Sequence, residues 1–155
     1  MPASEIQSAS LSYYAERQVS QQWRALVLTL VDEMYLSAGQ ADAGEFLRHV
    51  GSRMAAALPL GEQGTLKSLE AAMNRVWADM DWGWVSLTSD GRSVELVHGA
   101  YPRLGQGDQR WLEALAALLE GIYQQWFVSQ GETGLVVRCT AIQDSALLLR
   151  CSGQS

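Results

Sequence analysis

The segment QRWLEALAALLEGIYQQWFV, residues 109–128, constrains the fold more than any other. Its spacing predicts a helix, but apolar side chains run round most of the circumference instead of along one stripe. A helix of that kind has two faces to cover. It has to lie between layers, with a sheet on one side and a helical layer or another subunit on the other.

The rest of the chain supplies both layers in turn. Residues 1–20 are rich in Ser, Ala and Gln and carry no clean period, which reads as an extended or flexible N-terminal arm. Residues 21–155 read as a single domain. Trp23, Leu26, Val27, Leu30, Val31 and Met34 recur at helical spacing until Gly39 ends the helix. Asp42 is the expected N-cap of a second helix, which carries Phe46, Leu47, Val50, Met54 and Leu58 and is stopped by Pro59. Thr65 is the expected cap of a third, with Leu66, Leu69, Met73, Val76, Trp77 and Met80 on one face.

The period then drops to two in WGWVSLTS, residues 82–89. Asp90 and Gly91 favour a two-residue turn, which sets Leu87 opposite Val94 and Val85 opposite Leu96. In that register His98 faces Gly83 and Trp84 faces Val97. Pro102 and LGQGD break the chain, and Asp108 opens the apolar helix. TGLVVRCTAIQDSALLLRCS, residues 133–152, reads as a second hairpin turning near Gln143 and Asp144. The expected fold is α+β: three N-terminal helices, a β-hairpin, a long apolar helix and a second β-hairpin, with a small antiparallel sheet packed on the helices. No internal repeat is visible.

Eleven basic residues against 17 acidic ones leave a net charge of -6, and the arginines are scattered. Nucleic acid is therefore not an expected partner, because phosphate binding needs a concentrated positive field. The N-terminus has neither a basic n-region nor an apolar h-region. The run ALVLTLV is too short to cross a bilayer and is followed by Asp32 and Glu33. The expectation is a cytoplasmic protein that does not span a membrane, with the periplasm as the alternative. Cys139 and Cys151 lack metal-ligand spacing and do not face each other in the second hairpin, so they read as buried free thiols.

Catalytic chemistry finds no footing. Asp79 and Asp81 sit two apart at a helix–strand junction, where carboxylates cap or solvate chain ends and do not flank a scissile bond. His98 has no nucleophile elbow to serve and, on the apolar face of a strand, reads as a hydrogen-bonded core residue. His49 reads as a surface position. No cofactor and no metal site are expected. What stands out is six tryptophans and five tyrosines, more than a small core needs. Trp84 projects from the polar face of its strand as an interface anchor or a sugar platform, and Trp82 is expected to be half-buried.

WGWVSLT, SVELVHGAYPRLG and WLEALAALLEGIYQQWFVSQG, preceded by FLRHVGSRMA and TLKSLEAAMN, resemble the segments of the D-subunit family of bacterial cellulose synthase. The resemblance runs from about residue 24 to about residue 138. It implies a non-catalytic accessory subunit of cellulose synthesis, built as a hollow octamer, a tetramer of dimers. β-1,4-Glucan would pass at the dimer interfaces, guided or aligned for crystalline ribbon assembly, or the synthase complexes themselves would be aligned. The implied partners are glucan, the cellulose synthase complex and a cellulose-complementing accessory protein. The family's glucan contacts are attributed to the N-terminal arm, largely through backbone groups. On the arm of this chain Tyr13, Tyr14 and Gln18 are the candidate glucan-binding residues, since tyrosine stacks on pyranose faces and glutamine bonds hydroxyls. Trp84, Trp111 and Trp126 are the candidate assembly residues, and His98, Pro102, Glu120 and Gly121 match family positions that read as structural. Two other readings compete: a small acidic dimeric secretion chaperone that binds an effector segment, and a carbohydrate-binding module, which would be all-β and secreted.

Overall fold

A computed structural model describes residues 1–105, 109–143 and 145–154. Helices α1 (Ala3–Gln18), α2 (Gln21–Ala38), α3 (Gln40–Ala56) and α4 (Leu66–Met80) precede strands β1 (Trp84–Ser89) and β2 (Val94–Gly99). Helix α5 (Gln109–Ser129) and strands β3 (Leu135–Ile142) and β4 (Ala146–Gly153) follow. The strands form one antiparallel sheet in the order β1-β2-β4-β3, so the two hairpins join through β2 and β4. The architecture is α+β, as the periodicity predicts. Helix α5 buries a continuous run from Ala114 to Tyr123, with Trp111, Trp126 and Phe127 beyond its ends.

Several boundaries follow their sequence signals. Gly39 ends α2 at φ 85, and Thr65 and Ser68 form a reciprocal capping box at the start of α4. Others differ. Residues 3–18 are not extended but helical, and none of their side chains is buried. Ala, Glu, Gln and Arg favour a helix without any apolar stripe to announce it. The N-cap of α3 is Gly39 itself, placing Asp42 in the first turn, and the helix stops at Ala56, short of Pro59. The expected starts and turns at Asp108 and Asp144 lie outside the described residues.

The first hairpin is shifted by two residues from the expected register. Leu87 pairs with Leu96, Val85 with His98 and Trp84 with Gly99. The Asp90 carboxylate accepts from the backbone N–H groups of Arg92 and Ser93, at 2.9 and 2.8 Å, and closes a four-residue loop in place of a two-residue turn. A shift of two keeps every side chain on its face, so hydrophobic alternation does not distinguish the two registers.

Both sheet edges are covered by the same device. On α4, the Asn74 side-chain amide bonds both the N–H and the C=O of Val85, and Glu70 accepts from the Leu87 N–H. On α5, the Gln124 amide bonds Leu135 C=O and Val137 N–H, and Glu120 accepts from the Cys139 N–H at 2.9 Å. In each case a Glu and an amide residue four positions later satisfy the outer rim of an edge strand. A bare rim would be a template for pairing with another chain. The order helix–strand–strand occurs twice with this shared device, a recurrence that residue identity alone does not show.

Helices α3 and α5 cross at backbone contact. A Cβ on Gly121 would lie 1.9 Å from the Arg48 carbonyl oxygen, and one on Gly51 would lie 2.1 Å from that of Leu118. The Arg48 Nε donates to Glu120 at 3.1 Å beside this crossing and partners its buried carboxylate.

Candidate functional site

The aromatic residues divide into an inner set and an outer set. Trp77 is fully buried and touches four rings: Trp82 stacked at 5.9 Å, His98 edge-on at 4.9 Å, Tyr123 at 5.8 Å and Trp126 at 5.2 Å. One chain of hydrogen bonds runs through the cluster. Trp77 Nε1–H donates to the Tyr123 hydroxyl, which donates to His98 Nδ1 at 2.6 Å. His98 Nε2 reaches the Trp82 carbonyl at 2.7 Å. A carbonyl only accepts, so Nε2 carries the proton and the ring is the neutral tautomer.

This makes His98 a core residue, as its place on the strand predicts. Burial lowers its pKa from the ordinary 6.5 to about 4, against a smaller upward pull from the Trp82 carbonyl. The folded protein therefore binds fewer protons than the unfolded chain between those values, and stability falls as pH drops through 6.5 towards 4. Between pH 6.5 and 5, before carboxylates titrate, the loss should reach roughly 2 kcal/mol. Urea unfolding across that window measures it. His98→Gln, which keeps a donor and an acceptor without titrating, should show a much flatter profile.

Trp126 and Trp111 also belong to the inner set. Trp126 donates to Leu58 C=O at 3.0 Å and Trp111 to Pro102 C=O at 2.8 Å. Both are buried within the protomer, where they pack in its core. Trp82, half-buried, belongs to the core stack. Of the three tryptophans chosen for assembly, only Trp84 is exposed, its indole lying across Gly99.

The outer set is on the N-terminal helices. Along α2, Trp23, Leu26 and Leu30 form an exposed stripe, 48–58% accessible, while Val31 and Tyr35 face the core. The apolar face of α2 is thus only partly internal. On α1, Tyr13 and Tyr14 are exposed and meet edge-on at 5.6 Å, with the Arg17 guanidinium over the Tyr13 ring. Helical spacing puts Tyr14 and Gln18 on one side and Tyr13 and Arg17 on the next. The structure thus brings the three arm candidates onto adjoining faces. It also changes what the arm can offer, since helical N–H and C=O groups bond to one another and leave only the termini open. Glucan contacts here would have to come from side chains.

Asp79 and Asp81 are exposed, and Asp81 is the left-handed C-cap of α4. His49 is exposed as well. Cys139 and Cys151 are free, and burial raises both thiol pKa values, that of Cys151 to about 11. No group of three or more His, Cys, Asp or Glu side chains that could hold a metal exists among the described residues. Among them, no helix is long and apolar enough to cross a membrane.

The family model for the D subunit of cellulose synthase matches residues 9–152. The chain belongs to that family. The match starts inside α1 and so takes in the tyrosine pair. A cellulose synthase operon protein D of Komagataeibacter xylinus is 30% identical over 95 residues, covering 60% of this chain and 61% of that protein. The protein of the same name in Komagataeibacter sucrofermentans aligns with the same figures. Another from K. xylinus is 33% identical over 88 residues, 56% of each chain. The aligned stretch spans about three-fifths of the length of the first two relatives. Within the family the residues that matched by pattern now have positions: Gly121 at the helix crossing, Glu120 on the sheet edge, and His98 and Trp126 in the aromatic core.

Proposed function

We propose that this protein is a non-catalytic accessory subunit of bacterial cellulose synthesis. It assembles as a closed octamer of four isologous dimers and guides nascent β-1,4-glucan towards crystalline ribbons. The observation that carries the reading is the N-terminal surface. A 16-residue helix with no buried side chain is marginal in water. It stands next to a helix that leaves Trp23, Leu26 and Leu30 exposed. Apolar surface arranged in this way marks a contact site. Protomers joined through α2, with Trp84 adding to the contact, would cover the stripe and collect several copies of α1 around a shared space.

In that space Tyr13, Tyr14 and Gln18 are the proposed glucan contacts. Such contacts should be weak and repeated, because a chain that slides cannot be held tightly. Each aromatic stack would contribute on the order of 1 kcal/mol. A purely scaffolding role, with the protein in the cytoplasm aligning synthase complexes, needs no glucan contact at all. Titration of the labelled protein with millimolar cellohexaose separates the two. Shifts in α1 amides that disappear on removal of residues 1–15 support guidance. No shift in the intact protein overturns guidance and leaves the scaffold.

A further inference from the structure

Among the described residues one buried side-chain polar atom has no hydrogen-bond partner, Nε of Arg24. Arg24 is in the first turn of α2, and its Nη2 donates back across the helix break to the backbone carbonyl of Glu16. Glu16 is in the last turn of α1, where carbonyls have no partner within the helix and the helix dipole is negative. No carboxylate of the described residues is within ion-pair distance of Arg24. Little else fixes α1. Of its side chains only Ser12, Ala15 and Glu16 are half-buried, on one side by helical spacing, and they offer little apolar surface. Among the described residues no other hydrogen bond joins α1 to the rest of the chain. Between the helices Val19 and Ser20 leave helical backbone, at ψ 131 and 124, and Val19 packs against the core.

We propose that Arg24 is a positioning residue that latches α1 at one angle to α2, and that the arm has a second, unlatched position reached by pivoting on Val19 and Ser20. The latched position gains a charge-assisted hydrogen bond at the negative end of the α1 dipole. It also leaves Nε buried without an acceptor, a cost that hydration removes once the arm swings away. The gain and the cost oppose each other, which keeps the two positions close in free energy and the arm two-state. The angle of α1 decides where Tyr13, Tyr14 and Gln18 are presented. That consequence rests on the glucan reading, whereas the latch itself does not.

The test compares the full-length protein with Arg24→Met, which keeps the apolar stem and removes every donor. Read by hydrogen exchange, the α1 amides should exchange about 10-fold faster in the variant, because a helix of this length without its latch is marginal. Amides of α3, α4 and α5 should keep their parent rates. Arg24→Lys still reaches the Glu16 carbonyl and has no Nε–H to leave unsatisfied, so it should restore protection. The angle is read by pulsed electron resonance between spin labels at Ser8→Cys and Glu45→Cys, with both native cysteines replaced and labelled protomers diluted in unlabelled protein. Two distances are expected in the parent, and the minor one should become dominant in Arg24→Met. Equal exchange in parent and Arg24→Met, or one distance that the variant does not change, overturns the proposal. A fall in particle mass in Arg24→Met overturns it too, since Arg24 would then serve the contact beside Trp23 and not the arm. Faster α1 exchange in Arg24→Met, with no cellohexaose shifts in the parent, would overturn glucan guidance and leave the latch standing.

Discussion

Gly121→Ala is expected to cost at least ~3 kcal/mol, although it adds a single methyl group. The new Cβ would lie 1.9 Å from the Arg48 carbonyl oxygen, less than any real contact distance. What blocks it is the backbone of α3 and not a side-chain tip, so relief requires the two helices to separate. Separation would also loosen the Arg48–Glu120 pair and, through Glu120, the cap on Cys139. The thermal midpoint should drop by roughly 6–12 °C for a domain of this size. Gly51→Ala strikes the same crossing from the other side and should resemble it. Added to each other, the two should cost less than the sum of the single changes, because either one already forces the helices apart. A midpoint within about 2 °C of the parent for both would refute the close crossing.

Trp77→Ala should be the most damaging single truncation, at about 4 kcal/mol. The indole is the hub of the aromatic core and joins α4 to β2 and α5 through His98, Tyr123 and Trp126. Its loss leaves a large cavity and removes the donor to the Tyr123 hydroxyl. Trp77→Phe separates these effects. It keeps most of the packing and gives up the N–H, and Tyr123 can still donate to His98, so the cost of that lost bond should be nearer ~1 kcal/mol. Chemical denaturation of the two variants measures the difference. Equal destabilisation would mean that the hydrogen-bond chain, not the packing, dominates.

The parts of the fold legible in the sequence are those where one residue type has one physical use. Gly39 ends a helix because it takes φ 85, Thr65 caps one, and a histidine between Val97 and Gly99 on a core face must find partners. Three things are not legible, each for a separate reason. Helix α1 has no apolar face, so no period announces it. The register of the first hairpin depends on how many amides Asp90 captures, which alternation does not encode. The edge caps are Glu70, Asn74, Glu120 and Gln124, polar residues that pattern reading assigns to solvent although their partners are strand backbone. The candidate site divides in the same way. Residues chosen for aromatic character alone, Trp111 and Trp126, are core, because a tryptophan at helical spacing beside other apolar residues is first of all large. The exposed stripe on α2 lies beside the core stripe on the same helix, and the sequence merges the two into one apolar face.

Assembly through that stripe is the central claim, and the mass of the particle in solution tests it most directly. Light scattering coupled to size exclusion should give eight protomers of 17.0 kDa, about 136 kDa. In a variant with Trp23, Leu26 and Leu30 all changed to Ser, the particle should break down while the helical circular dichroism persists. A monodisperse monomer near 17 kDa for the parent protein would contradict the account, and a plain dimer near 34 kDa would favour the secretion-chaperone reading.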